Sequence, residues 1–563
     1  MNGDWEFHLR LLSQNARDSS ANDVSTDPSL LESVKKLYEM CKNENSEDLI
    51  ARVYSHMNKL FQRCIAAMSQ AQTSNGLLHL AILQFFLDFG EVVLHDANSS
   101  LRAFFRSCLS RQFAAPVVAE STLNFLFLNK TRFLNSFPSL LPQFFPLLLK
   151  LIAWNGEKLE KSFIKIFVGM VATGSFLPLF QSLVDLPILV VALEKVERSS
   201  GSLIGSNIAS IQKSAAPEML LALMDEAYTG STIEDGGGDS GDDDSGSIDV
   251  ADPVFLDLLK DENDGLAERH WVSSGMAAAL QAVTGTPQSD RLRQALQMAP
   301  RFLDIYFTIA LREVNDSLIC ALIPLLMARN STLFPDKLYA SKVRKRLREF
   351  ILAAFHRSPG FVAMLKKPII DRLGEAYDSP EKTELALELC WAIGEHGGGG
   401  ISQKDTAREL FESLELLLYE NLSSSRLGLS QDPTIGSSNN STTRKSSQAR
   451  LLCFVVTAIA KLATYHRDLL PRARVSLAKV ARSRNSLDMR VWRRARDYLG
   501  LMNEPAICLS VLGPSRGCDQ GPGTINWSEG GSKMVSHIPF YILCEQEGPP
   551  FHDFSLSDVI SSR

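Results

Sequence analysis

LELCWAIGEHGGGG, Leu387 to Gly400, decides how this chain is read. Its histidine and glycines match the HGGG run with which esterases and lipases build an oxyanion hole. The same letters also end a helix. Just upstream, Ser379-Pro380 supplies an N-cap and a first-turn proline. Glu384, Glu388 and Glu395 share one narrow face at helical spacing, while Leu385, Leu387, Leu389, Cys390 and Ile393 cover most of the remaining circumference. A helix with so wide an apolar face packs inside an array of helices. His396 falls in the last turn, where a donor suits the exposed carbonyls, and Gly397 is expected to stop the helix in the left-handed conformation.

The same pattern extends outward in both directions. Apolar residues recur at spacings of three and four, predicting helices over Asn75–Leu94, Phe163–Met170, Glu218–Glu226, Met276–Ala282, Arg301–Arg312, Leu318–Ala328, Lys342–Phe355, Glu381–Glu395, Thr406–Tyr419, Leu451–Tyr465, Val475–Arg482 and Leu487–Met502. Proline follows an apolar residue at apparent helix starts, as in Leu141-Pro142, Leu177-Pro178, Leu186-Pro187, Ile323-Pro324, Phe334-Pro335 and Leu470-Pro471. The expected fold is all-α: an irregular HEAT- or armadillo-like helical solenoid. A strand followed by a Gly-rich phosphate turn is missing, which argues against a Rossmann or P-loop core.

Two breaks divide the array. Residues 229–252 hold seven acidic residues between Glu234 and Asp249 among Gly and Ser, too little apolar surface to fold, and read as an acidic disordered linker. An EF-hand register centred on Gly246 puts Gly241 first and Ser245 fifth with no closing Glu, so calcium binding is not expected. Residues 421–450, rich in Ser, Asn and Thr, read as a mobile loop. The organisation expected is an N-terminal helical or partly disordered segment (1–55), a first helical-repeat part (56–228), the linker (229–252), a second part (253–502) and a C-terminal tail (503–563) with some strand character in AICLSVLGPS and SKMVSHIPFYILCEQ.

With 563 residues, 45% hydrophobic and 22% charged, the composition is that of a soluble globular protein, and a net charge of −6 gives no global field for nucleic acid. MNGDWEFHLRLLSQ lacks the basic and apolar regions of a secretory signal. The most apolar run, Phe137–Trp154, carries Pro138, Pro142, Pro146 and Lys150 and reads as buried helix rather than a membrane span. An intracellular location follows as the expectation. The nine cysteines form no CxxC and imply neither a zinc nor a disulfide framework.

The sharpest catalytic candidate is Gly513-Pro514-Ser515-Arg516-Gly517, with Asp519, His537 and His552 following in hydrolase order. A nucleophile elbow needs a helix after its serine, and CDQGPGTINWSEGG is unsuited to one. No GxxxxGK[ST], no HExxH and no histidine pair at ligand spacing occurs. No catalytic, cofactor-binding or metal site is therefore expected, nor any cofactor. Basic clusters are the stronger signal. One is Lys342–Phe350, with Lys342, Arg344, Lys345 and Arg346. The other runs from Arg472 to Arg496 with nine basic residues against one acid, and includes Arg472, Arg474, Arg490, Arg493 and Arg494. They suit anionic lipid, acidic protein segments or nucleic acid, or form solvated faces with salt bridges to the next repeat.

Trp391-Ala392-Ile393-Gly394-Glu395 followed by His396 resembles the W-x-x-G-E-aromatic helix of adaptin trunks, and Arg493-Arg494-Ala495-Arg496-Asp497-Tyr498-Leu499 is similar to their late RA-x-x-Y helix, which places Ala495 and Tyr498. LLLKLIAWN (Leu147–Asn155), SLVDLPILVVAL (Ser182–Leu193), DSLICALIPLLMARNSTLFP (Asp316–Pro335), CWAIGE (Cys390–Glu395) and AKLATYHRDLLPRARVSLAKV (Ala460–Val480) resemble, in order and spacing, the zeta-subunit family of the fifth heterotetrameric adaptor-protein complex. Members carry more helical sequence before the matched part. The resemblance implies a non-enzymatic adaptin-trunk scaffold with beta-, mu- and sigma-type subunits and spatacsin- and spastizin-like partners. It implies protein sorting at late endosomes and lysosomes from the cytoplasmic side, with peripheral membrane contact and no nucleic acid. The alternative is a nuclear helical-repeat scaffold on nucleic acid or in DNA repair, although the chain has no phosphate-binding motif to support a helicase.

Overall fold

Helix follows helix through the computed structural model, which describes residues 4–17, 28–67, 76–200, 288–376, 379–398, 403–428, 438–483 and 487–504. The helices are α1 (Asp4–Arg17), α2 (Pro28–Glu44), α3 (Glu47–Ala67), α4 (Gly76–Phe89), α5 (Ala97–Ala103), α6 (Pro116–Leu128), α7 (Lys130–Ser136), α8 (Leu140–Asn155), α9 (Glu160–Phe167), α10 (Phe176–Val184) and α11 (Leu186–Ser200). After the acidic stretch come α12 (Asp290–Glu313), α13 (Asp316–Arg329), α14 (Lys337–Arg357), α15 (Lys366–Gly374), α16 (Pro380–His396), α17 (Lys404–Gly428), α18 (Ser438–Tyr465), α19 (Leu470–Arg482) and α20 (Met489–Met502). Short helical turns join several of them, and no strand occurs among the described residues. The chain is thus all-α where it is described.

Two compact units divide it: Met1–Tyr306 with Phe334–Ala340, and Phe307–Leu333 with Ser341–Arg563. In the first, α4 buries residues around almost its whole circumference, from Leu78 to Phe89, and Phe86 meets Phe61 edge-on at 5.5 Å. Burial of each such side chain contributes about 1.5–3 kcal/mol. The apolar run at Phe137–Trp154 is α8 and the turn before it. Its Lys150 is 1% exposed and holds its ammonium 5.8 Å from the Phe113 ring centre. Pro146 lies inside α8, Phe144 departs from helical angles there, and Gly156 at φ 69° ends the helix in a conformation that favours glycine. The N-terminal half of α12 returns to this unit. Phe302 packs on Phe163 at 5.1 Å, and the Tyr306 hydroxyl donates to the Phe176 carbonyl at 2.9 Å. The division between units therefore falls within α12 and not at the acidic stretch.

Two expectations change. Pro324 does not begin a helix; it lies inside α13, which starts at Asp316 under an Asn315 cap. The surrounding apolar side chains, Ile319, Leu322, Ile323, Leu326 and Met327, are buried and hold that helix together through the missing backbone donor. Much of 421–450 is not loop, because α17 runs to Gly428 and α18 starts at Ser438. Polar residues compete for backbone groups in isolation. Here Asn421 is buried, donates to the Leu417 carbonyl at 2.7 Å and accepts from Gln448 at 2.6 Å, so its polar groups are satisfied within helices. The predicted helices at Glu218–Glu226 and Met276–Ala282, the linker at 229–252 and the tail beyond residue 504 lie outside the described residues.

One described helical stretch, Ser447–Tyr465, is long and apolar enough to cross a membrane, but 72% of that window is buried inside the protein. It is the central helix of the second unit. The bent pair Phe176–Val184 and Leu186–Glu194 passes the same test at a 65° bend and is also mostly buried.

Candidate functional site

The second unit is organised around α16 and α18. Ser379 caps α16 by accepting from the Lys382 amide at 3.3 Å, and Pro380 opens it, as the sequence predicts. Leu385, Leu387, Leu389, Cys390 and Ile393 are all buried. The acidic face is not a solvated stripe. Glu381 faces Arg344 of α14 at 3.5 Å and Glu384 faces Arg450 of α18 at 3.4 Å. Glu388 pairs with Arg348 of α14 at 2.8 Å, and Glu395 pairs with Lys461 of α18, both of them nearly enclosed. Four carboxylates along one helix thus take cations from two neighbours. Burial dominates at Glu388 and pushes its carboxyl up to about 8; Arg348 opposes the shift, and Glu384 and Glu349 add to it.

Gly394 brings α16 close against α18. A β-carbon placed on it would lie 3.2 Å from the Ala458 Cα and 3.5 Å from its Cβ. Trp391, partly exposed, stands edge-on to His396 at 5.8 Å. The helix end differs from expectation. Gly397 has φ −73°, so it is not left-handed. Its glycine is required by space, since a β-carbon would lie 2.5 Å from the Ile393 carbonyl oxygen. Gly398 sits on the Tyr465 ring, where a β-carbon would come within 2.5 Å, and its carbonyl accepts from His466 Nε2 at 2.7 Å. Of the two described glycines after His396, Gly397 closes on Ile393 of its own helix and Gly398 packs on the end of α18; neither is placed as part of an oxyanion hole.

The other resemblance segment meets the same helix one residue away. Ala495 is fully buried, and the Tyr498 hydroxyl pairs with Thr457 Oγ1 at 2.9 Å. Consecutive α18 residues, Thr457 and Ala458, therefore receive α20 and α16. Nothing in either sequence segment alone signals that they share a partner.

The basic clusters split by environment. On α14, Arg344 donates to the Asn330 carbonyl at 2.8 Å and Lys345 lies 3.8 Å from Glu349; Arg346 reaches the Lys342 carbonyl at 3.3 Å, and Lys342 is exposed. Arg472 binds Glu412 and Glu415 of α17 at 2.8 and 2.7 Å. Arg474 donates to the Met502 carbonyl. Arg490 pairs with Asp488, the residue that caps α20, and Arg494 reaches Thr457 at 3.3 Å. Arg493 is exposed. Four of the nine predicted cations, Arg344, Arg472, Arg474 and Arg494, thus serve interhelical contacts.

No group of three or more His, Cys, Asp or Glu able to hold a metal occurs among the described residues. Burial pushes Cys41 up to about 12 and Cys64 up to about 11, and raises Cys108, Cys320 and Cys390, so these thiols are not activated nucleophiles. Ser515, Asp519, His537 and His552 lie outside the described residues.

The chain is similar in sequence to known proteins. Residues 25–150 match a family described as an AP-5 complex subunit in vesicle trafficking. Residues 252–522 match one described as the C-terminal TPR repeats of AP-5 complex subunit zeta-1. TPR units are helix pairs like HEAT and armadillo units, and helical periodicity alone does not separate them. The chain is 26% identical to AP-5 complex subunit zeta-1 of Mus musculus over 535 residues, covering 92% of this chain and 60% of the relative. It is 25% identical to the Homo sapiens protein over 526 residues, covering 91% and 59%. The chain spans about three-fifths of the length of these relatives.

Proposed function

The chain belongs to the AP-5 complex zeta-subunit family, and on that premise we propose that it is a non-enzymatic scaffold subunit of an adaptor-protein coat complex in vesicle-mediated sorting. The observation that carries the reading is the α16–α18–α20 core, where Gly394 and Glu395 of one adaptin-like segment and Ala495 and Tyr498 of the other serve helix packing. In this reading the helices form an adaptin-like trunk working on the cytoplasmic side of late endosomes and lysosomes. Its partners are beta-, mu- and sigma-type subunits and spatacsin- and spastizin-like proteins. Exposed apolar side chains on helix faces, Val117 and Leu128 in the first unit and Met364, Leu416 and Val475 in the second, offer surface for such subunits to cover. The basic helices α19 and α20 supply the anionic-partner surface of a peripheral membrane contact.

Affinity purification of the tagged full chain from its own cells tests the proposal. Recovery of beta-, mu- or sigma-like subunits supports it. A stable monomer recovered with none of them, or with chromatin in their place, overturns it.

A further inference from the structure

We propose that the corner between the end of α19 and the solvent face of α20 binds the anionic headgroups of a phospholipid surface through Arg482, Arg493 and Arg496. The inference names the ligand of the membrane contact in the adaptor reading and rests on that reading. Vesicle binding is measured without partner subunits, so the two fail separately.

The arginines of α20 divide sharply. Arg490 and Arg494 are held by Asp488 and Thr457. Arg493 and Arg496 point to solvent and make no ion pair with a described residue, and the same is true of Arg482 in the last turn of α19. Trp492 draws the three together. Its indole N–H donates to the Ala481 carbonyl at 2.7 Å, next to Arg482, and the Arg496 guanidinium carbon lies 5.4 Å from its ring centre. Arg493 is the next residue along. The one nearby carboxylate on α20 past its cap is Asp497, half-buried one turn from Arg493. The corner is therefore a cationic surface whose charge no described residue neutralises by an ion pair.

Its apolar neighbours favour a bilayer as the ligand. Met489 is 44% exposed and precedes Arg493 by one helical turn, on the same face. Trp492 is half-buried, with its polar N–H already taken. A flexible thioether and an indole edge beside unpaired guanidinium groups suit the headgroup layer, where arginine meets phosphate and the apolar groups meet the acyl boundary. Single-stranded nucleic acid needs free aromatic faces for stacking, and Arg496 already lies on the Trp492 ring.

The test is co-sedimentation of the full chain with phosphatidylcholine vesicles with and without phosphatidylserine, across a salt series. Binding is expected only with phosphatidylserine and is expected to weaken as salt rises. Arg493→Ser is expected to weaken it about fivefold, and Arg482→Ser/Arg493→Ser/Arg496→Ser on the order of a hundredfold. Lys342→Ser/Lys345→Ser/Arg346→Ser on α14 is expected to leave binding near wild type. Circular dichroism checks that each variant folds, and should the triple variant unfold, the single Arg493→Ser result decides. Equal binding to both vesicle types, an unchanged Arg493→Ser variant, an equal loss in the α14 variant, or binding to poly-glutamate or RNA with none to vesicles overturns the proposal.

Discussion

Gly394 lies against the backbone of Ala458, so that a β-carbon on it would stand 3.2 Å from the Ala458 Cα. The two residues are 64 positions apart in sequence. This contact sets how closely α16 approaches the central helix α18, and it explains why the tryptophan-to-glutamate segment carries a glycine where helix propensity favours alanine.

Gly394→Ala is expected to destabilise the protein by about 1–3 kcal/mol through overpacking, outweighing the gain in helix propensity, and Gly394→Leu by more. Thermal unfolding with limited proteolysis near α16 measures it. A Gly394→Ala protein as stable as wild type would show that α18 gives way at no cost.

Glu395 and Lys461 form a nearly enclosed ion pair between the same two helices. Glu395→Ala and Lys461→Ala are each expected to cost about 3–5 kcal/mol, because each strands the other charge in a poorly solvated site. Glu395→Leu/Lys461→Met together is expected to cost much less than the sum. A double-mutant cycle in denaturant reads the coupling, and strict additivity would argue against the pair.

Glu388 predicts a pH dependence with a definite sign. Its folded-state carboxyl is raised from 4.5 to about 8 by burial. Between those values an unfolded chain has released the proton while the folded chain keeps it, so stability falls as pH rises. The full contribution is present below about pH 4.5, is lost up to about pH 8, and amounts to a few kcal/mol at most, with Arg348 limiting it. Unfolding of wild type and Glu388→Gln at pH 5, 6.5 and 8 checks this. The variant is expected to show a shallower slope and to gain most on wild type at the alkaline end.

The Tyr498 hydroxyl joins α20 to α18 through Thr457. Tyr498→Phe is expected to cost about 1 kcal/mol. Ala495→Leu, which places a larger side chain in a fully buried position, is expected to cost about 1–3 kcal/mol. Comparing the two by thermal melts separates the hydrogen bond from the packing: a Tyr498→Phe loss as large as that of Ala495→Leu would mean the ring, not the hydroxyl, has moved.

The sequence by itself determined that this chain is built of helices, where most of them lie, that α16 is capped at Ser379 and buried nearly all round, and that its residues resemble the adaptor zeta-subunit family. Those features are local: a period of 3.6 residues, a cap and a breaker are legible within one segment. Only the tertiary structure decided what each helix faces. The glutamates that share one face of α16 are paired, because their cations come from α14 and α18, up to 66 positions away along the chain. Gly397 and Gly398 are required by the room that Ile393 and Tyr465 leave, not by backbone angle. Among so many arginines in the basic helices, the fold consumes Arg344, Arg472, Arg490 and Arg494 and leaves Arg482, Arg493 and Arg496 to solvent. Charge is written in the sequence. Whether it is neutralised depends on which side chains the folded backbone brings within a few ångströms.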